Sequence, residues 1–432
     1  MKRVAIIGGR LIDPAAKLDG LFDIILMGGR IASIKPRNEK EAGETGKEDW
    51  EIIDATGMIV VPGLVDIHTH LREPGEEYKE TIETGTRAAS AGGFTTILSM
   101  ANTEPVNDSA SVTRLILRKA KEAGLANVFP VGSVSVGLKG ESLSEFGELY
   151  EAGCVAVSDD GMPVKDGLLM RRALEYANVF SLPVISHAED PVINAGGVMN
   201  EGETSTRLGL RGIPNASEDS MVARDIYLSE LTGARLHIAH VSTKGAVELI
   251  RSAKKRGVMV TAEAAPHHLV LDDSSVEGYD TDAKMSPPLR STDDVKALIK
   301  GLKDGTIDAV ATDHAPHSTI EKDIEFDAAA NGIVGLETAL GLVLELVNGG
   351  RIDLIDALER MTSGPARVMG LDKGSLKVGG SADIAIIDLN SEWTVDPAKF
   401  MSRSKNTPFK GRALKGQVMK TILEGKVVFE RQ

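Results

Sequence analysis

Val65-Asp66-Ile67-His68-Thr69-His70-Leu71-Arg72-Glu73-Pro74-Gly75 opens as an apolar strand and ends in two imidazoles, a guanidinium and a turn. Successive strand residues point to opposite faces, so the i, i+2 spacing of His68, His70 and Arg72 predicts that all three project from one face, toward the strand's C-terminal end. Two imidazoles placed in this way converge on one divalent ion, and imidazole nitrogen suits zinc. Downstream the same texture recurs as apolar strand, polar loop and amphipathic stretch. Candidate strands lie at residues 65–71, 95–101, 128–133, 154–158, 183–187, 235–241, 258–262 and 309–312, with helical patterns such as 111–123, 243–255 and 293–303 among them. Strands alternating with crossover-length helices predict parallel βα units, and eight of them predict an α/β fold of the (β/α)8 TIM-barrel type.

Outside this repeat the texture differs. Short strands at residues 4–7, 23–27, 31–34 and 52–61 are separated by Gly-Gly and Gly-Arg turn signals. After the eighth strand, residues 335–348 and 353–361 read as closing helices, the second ended by Ser363-Gly364-Pro365, and strands return at 383–388 and 418–429. The two ends pair as one small composite β-sandwich domain. The expected division is 1–61 for its N-terminal part, 62–372 for a catalytic metal-dependent barrel and 373–432 for its C-terminal part. The charged run 37–51 (RNEKEAGETGKEDWE) reads as a solvated excursion between two strands.

Composition limits the partners. With 42% hydrophobic and 26% charged residues in 432, the chain can bury a large core. Its 49 basic and 63 acidic residues leave a net charge of −14, which opposes binding to a nucleic-acid backbone or an anionic membrane surface. No apolar run approaches the roughly 18 residues of a membrane span, and residues 1–17 hold too short an apolar stretch for a secretion signal. Cys154 is the single cysteine, so no internal disulfide forms and a cytoplasmic setting is expected.

Because active sites of such barrels lie at the C-terminal ends of the strands, further ligand-type residues are expected there. The fourth strand ends in Ser158-Asp159-Asp160-Gly161, the fifth in Ser186-His187-Ala188-Glu189-Asp190, the sixth in Ala239-His240-Val241-Ser242 and the eighth in Thr312-Asp313-His314-Ala315-Pro316-His317. Each alone would more often be structural; their coincidence at one topological position is the signal. Alternation does not choose between Asp159 and Asp160. His237, His267, His268 and His314 read as structural, and the glycine- and serine-containing run 132–140 lacks the Gly-Lys-Ser/Thr ending of a phosphate loop.

On these residues the chain resembles the amidohydrolase superfamily and, within it, the class I dihydroorotases of the bacterial single-function type, nearly end to end. The segment His68-Thr69-His70-Leu71-Arg72-Glu73-Pro74-Gly75 carries the resemblance. Ala265-Pro266-His267-His268-Leu269, Lys284-Met285-Ser286-Pro287-Pro288-Leu289, Lys405-Asn406-Thr407-Pro408-Phe409 and Gly425-Lys426-Val427-Val428 support it. The resemblance implies two zinc ions, with His68, His70 and Asp313 on the more buried one and His187 and His240 on the second. It implies Asp160 as the bridge, where most relatives use a carboxylated lysine. It further implies reversible ring opening of dihydroorotate to N-carbamoyl-aspartate in pyrimidine biosynthesis, by a water activated between the metals, with Asp313 accepting its proton and passing it to the departing amide nitrogen.

Substrate contacts are implied for His70, Arg72, Asn102, Ser286, His317 and the backbone of Asn331 and Gly332. The planar fork of Arg72 suits the substrate carboxylate. Ser286 stands where the family usually has asparagine, and one hydroxyl in place of a two-ended amide implies a ring contact that is water-bridged or lost. A hydantoinase or allantoinase is the nearest rival reading, opposed by the missing lysine and by Arg72 with Asn102. A non-catalytic subunit scaffolding aspartate transcarbamoylase is the other, opposed by the six retained ligands. The resemblance leaves open a homodimer and a complex with that transcarbamoylase.

Overall fold

A computed structural model describes residues 3–37 and 50–431. Eight parallel strands, Leu64–Thr69, Phe94–Ser99, Asn127–Gly132, Ala156–Ser158, Val184–Ser186, Leu236–Ile238, Val260–Ala264 and Ala309–Val310, pair in sequence order. The ring closes where Thr69 bridges His314 and the His70 N–H donates to the His314 carbonyl at 2.9 Å. Asp66 reinforces the seam by accepting from the Thr312 N–H at 3.1 Å and from its hydroxyl.

Both faces of these strands are covered, so Leu64–Thr69 and Phe94–Ser99 are buried at every residue instead of alternating. Val65, Ile67, Leu98, Met100, Val131, Ala156, Ile185, Ala239, Ala309 and Ala311 fill the barrel interior, where small alanines opposite larger side chains keep the packing tight. The outer faces pack on helices. In Lys244–Lys255, Thr243 caps the first turn by accepting from the Ala246 N–H, lysines occupy the last turn, and Ala246, Val247, Ile250 and Ala253 form the buried stripe. Burying a residue such as Ile250 contributes about 1.5–3 kcal/mol.

The terminal strands join in one nine-stranded arrangement. Leu18–Met27 pairs with Arg10–Asp13 through its first half and with Arg3–Ile7 through its second, so the sheet turns over on this strand. Val4, Ile6, Ile24, Leu26, Ile31 and Ile53 on one side then meet Leu11, Val60, Ile384, Ile386 and Ile422 on the other in a single core. The alternate residues Ile59, Val61, Ala385 and Ile387 face the barrel core instead.

Several expectations are corrected. Residues 52–61 are two strands, Trp50–Asp54 and Ile59–Pro62, because the Asp54 carboxylate accepts from the Thr56 N–H at 2.9 Å and stabilises a turn. Residues 418–429 divide between Ala413–Leu423 and Lys426–Glu430 at Gly425, whose φ of +74° favours glycine. Ser363-Gly364-Pro365 opens the helix Ser363–Met369 after a kink at Thr362, since proline in a first helical turn gives up no hydrogen bond. Ala366, Val368 and Met369 of that helix plug the interior. Within the run 37–51, Trp50 and Glu51 begin a strand, and 38–49 lie outside the described residues. Among the described residues no helix is long and apolar enough to cross a membrane.

Candidate metal centre and active site

His68, His70, Asp160, His187, His240 and Asp313 come from five different strand ends and meet at one place, all buried. The ligand atoms fall into two groups that share Asp160, one with His68 and His70 and one with His187 and His240, each within 4.8 Å. Asp160 Oδ1 lies 3.3 Å from His68 Nε2, 3.4 Å from His187 Nδ1 and 3.4 Å from His240 Nε2, and its Oδ2 lies 3.4 Å from His70 Nε2. Asp313 Oδ1 is 3.0 Å from His70 Nε2 and 3.6 Å from His68 Nε2. Asp159 turns away, accepting from the N–H groups of Val134 and Ser135 at 2.8 and 2.9 Å, so geometry separates the two adjacent aspartates.

Local backbone makes this convergence possible. Leu64 packs outward and Val65 and Ile67 inward, so strict alternation would carry His68 to the helix side. The ladder to the second strand shifts register between Asp66 and Thr69, and this irregularity turns His68 into the barrel mouth. The strand ends before Arg72, whose φ of +60°, with +32° at His240 and +47° at Asp313, is strained for a side-chain-bearing residue. Such conformations cost about 1–3 kcal/mol each and gather where geometry is functional.

The outward nitrogens of three histidines are anchored. His68 Nδ1 meets Glu263 Oε1 at 2.6 Å, His70 Nδ1 meets Asn102 Oδ1 at 2.8 Å and His187 Nε2 meets Glu189 Oε2 at 3.1 Å. The reading of strand ends included Glu189 without giving it a role and missed Glu263. The signal for Glu263 was available, because a carboxylate in the largely apolar segment Val260-Thr261-Ala262-Glu263-Ala264 needs a partner.

Burial opposes charge on His68, His187, Asp160, Glu189, Glu263 and Asp313, yet their mutual attraction prevails. His187 is pushed up to about 10 by Asp160 and Glu189, and Glu189 and Glu263 are held down at about 2 by the imidazoles they face. Asp160 and Asp313 lie below the usual carboxylate range, with His68 the main counter-charge. This concentration of buried carboxylate requires positive charge. His68 Nε2 and Asp160 Oδ1 are buried without a hydrogen-bond partner, and a cation between them would satisfy both, so the donor set fits a divalent metal.

Beside the cluster, the buried Arg72 donates through Nε to the Pro316 carbonyl at 3.2 Å and through Nη2 to His317 Nε2 at 3.3 Å. Burial and the Arg72 charge press His317 down to about 3, so it is neutral. An arginine has only donors, which assigns the His317 proton to Nδ1. Ser286 donates its hydroxyl to Glu189 Oε2 at 2.5 Å. Asn331 is exposed. Gly332 packs against the His317 ring, where a Cβ would come within 2.7 Å of Cδ2. Its N–H donates to the Lys284 carbonyl, and its own carbonyl accepts from Lys322 and Asn406.

His237 joins the same network through Glu263, and His314 contacts Glu80 at 3.3 Å. Cys154 is a buried thiol pushed up to about 11 by its burial.

A parallel barrel with a histidine and aspartate metal-binding cluster at its strand ends defines a hydrolase of the amidohydrolase type. Residues 57–246 match the family model described as Dihydro-orotase-like. A dihydroorotase of Anaeromyxobacter dehalogenans is 56% identical over 425 residues, covering 98% of this chain and 97% of the relative. One of Syntrophus aciditrophicus is 52% identical, with 99% of each chain covered. Among solved structures, an L-hydantoinase (dihydropyrimidinase) from Arthrobacter aurescens superposes with a TM-score of 0.87 at 28% identity, covering 100% of this chain and 96% of that one. The chain belongs to the dihydroorotase family.

Proposed function

We propose that this protein reversibly hydrolyses the cyclic amide of dihydroorotate to N-carbamoyl-aspartate, the ring-forming step of pyrimidine synthesis, with residues 62–372 as its catalytic unit. The observation that carries the choice of substrate is the buried guanidinium of Arg72 beside the neutral His317 at the edge of the metal-type cluster. A desolvated cation in that position calls for an anionic group, which dihydroorotate has and hydantoin lacks.

Zinc would be held by His68, His70 and Asp313 on one side and by His187 and His240 on the other, with Asp160 between them. Bound there, it supplies Lewis acidity toward the amide carbonyl and lowers the pKa of water. Arg72, His317 and Asn102 grip the substrate carboxylate. Asn102 does so through its amide nitrogen, because its oxygen accepts from His70. Asp313, held ionised, takes a proton from the attacking water and delivers it to the ring nitrogen as the C–N bond breaks; in the reverse direction it removes that proton. Ser286 acts on the ring indirectly, through Glu189, and Gly332 with Asn331 shapes the wall beside His317.

An absorbance assay on dihydroorotate, run beside dihydrouracil, hydantoin and allantoin, tests this reading. A preference for either five-membered ring would overturn it. The mass of the native particle, alone and mixed with aspartate transcarbamoylase, reads out the homodimer and the complex that the family resemblance raises.

A further inference from the structure

Glu263 sits on the seventh barrel strand, Val260–Ala264, the one between two ligand-bearing strands that contributes no candidate ligand. Its side chain is 2% exposed. Oε1 faces His68 Nδ1 at 2.6 Å and also accepts from the backbone N–H of His240 at 3.4 Å. Oε2 faces His237 Nε2 at 3.0 Å, and the other nitrogen of His237 meets the Thr261 hydroxyl at 2.9 Å.

We infer that Glu263 is a positioning residue that holds both halves of the metal centre at once. His68 must present the lone pair of Nε2 to a cation, which requires its proton on Nδ1, and a carboxylate at Nδ1 fixes that tautomer and the angle of the ring. The same carboxylate oxygen engages the N–H of His240, whose backbone is held at a φ of +32°. The imidazole of His240 leaves the chain at that residue, so the bond bears on where its Nε2 points. His237 secures the second oxygen, and because Thr261 engages the far side of His237, the carboxylate cannot swing away. One buried charge therefore sets a ligand in the group of His68 and His70 and a ligand in the group of His187 and His240. This inference rests on the metal reading proposed above.

The test strips the full-length protein of metal and titrates it with zinc against a chromophoric chelator. Glu263→Gln preserves size and one acceptor but loses the charge and cannot accept from all its donors. Outer partners of this kind typically change metal affinity 10–100-fold, and a loss in that range is expected with an unchanged circular dichroism spectrum. His68→Ala, run alongside, keeps the two readings apart. If it binds zinc as tightly as wild type, the metal reading itself is wrong; if it loses zinc while Glu263→Gln binds normally, the inference about Glu263 fails. A second measurement does not use the Glu263 variant. In zinc-loaded wild type with 15N-labelled histidine, the His68 Nδ1 proton should appear as a slowly exchanging downfield signal that His68→Ala removes, and its absence would overturn the proposal.

Discussion

Replacing Arg72 by methionine separates substrate recognition from the chemistry of the cluster. Arg72 is 8% exposed, and its Nε and Nη2 are engaged by the Pro316 carbonyl and His317. Nη1 lies 3.8 Å from Glu76 Oε2, a longer contact than those of Nε and Nη2. Methionine has similar length and no donor. Losing a charge-assisted pair in a desolvated pocket costs about 2–4 kcal/mol. At 1.36 kcal/mol per factor of ten, kcat/KM for dihydroorotate should fall about 30- to 900-fold. Dihydrouracil has no carboxylate, and with enough enzyme to measure it, its kcat/KM should change by only a few fold. Arg72→Lys should recover part of the loss, because the charge returns without the fork. His317 Nε2 loses its donor in the methionine variant, so a stability cost of about 1–3 kcal/mol is expected in a thermal melt and must be read separately from the kinetics. Equal losses on dihydroorotate and dihydrouracil would refute the assignment and make Arg72 a structural residue.

Asp313→Asn keeps shape and one coordinating oxygen but cannot accept a proton. It should retain at least part of its metal by elemental analysis while turnover falls by 10²–10⁴ in both directions, and a metal-replete variant within about tenfold of wild type would move the search for the base to His317. His187→Ala and His240→Ala should lower zinc content with the fold intact, because the barrel core lies below the cluster; zinc at the wild-type level in both would remove them as ligands. Glu337 accepts from the N–H groups of Met401 and Ser402 and is pushed up to about 7 by burial, against an ordinary 4.5. The folded state then holds that proton more tightly than the unfolded one, so its contribution is full below about 4.5 and is lost as pH rises through about 7. Glu337→Gln does not titrate and should gain on wild type across that window by up to about 3 kcal/mol in urea unfolding, whereas a pH-independent difference would contradict this.

Much of the barrel could be read from the chain because its local signals agree with its tertiary role. All eight strands occur where apolar runs lie between polar loops, and the helices 111–123, 243–255 and 293–303 appear as Ala110–Ala123, Lys244–Lys255 and Thr292–Asp304. The sixth strand is shorter than residues 235–241 because the backbone leaves the sheet geometry at His240. The strand Arg10–Asp13 escaped notice, since four residues after Gly8-Gly9 give too little pattern to separate from a turn. At the termini the reading was coarser, because the turns at Thr56 and Gly425 interrupt apolar runs that look continuous by composition alone.

By itself the sequence determined the candidate ligand types, their order along the chain and their place at strand ends, because side-chain chemistry and strand periodicity are local properties. Tertiary structure alone decided which of two adjacent aspartates faces the cluster. Asp159 is drawn to the loop at Val134 and Ser135, and Asp160 is left to the histidines. It also decided why His68 points inward at all. Alternation grouped His68, His70 and Arg72 on one face but assigned them no side; the register shift after Asp66 supplies it for His68, while Arg72 lies beyond the strand at a φ of +60°. Glu263 became visible as the anchor of His68 only when ring closure brought the first and seventh strands to either side of the eighth, 195 residues apart in sequence. Hydrogen bonds of that range depend on the closed ring, and no local pattern encodes them.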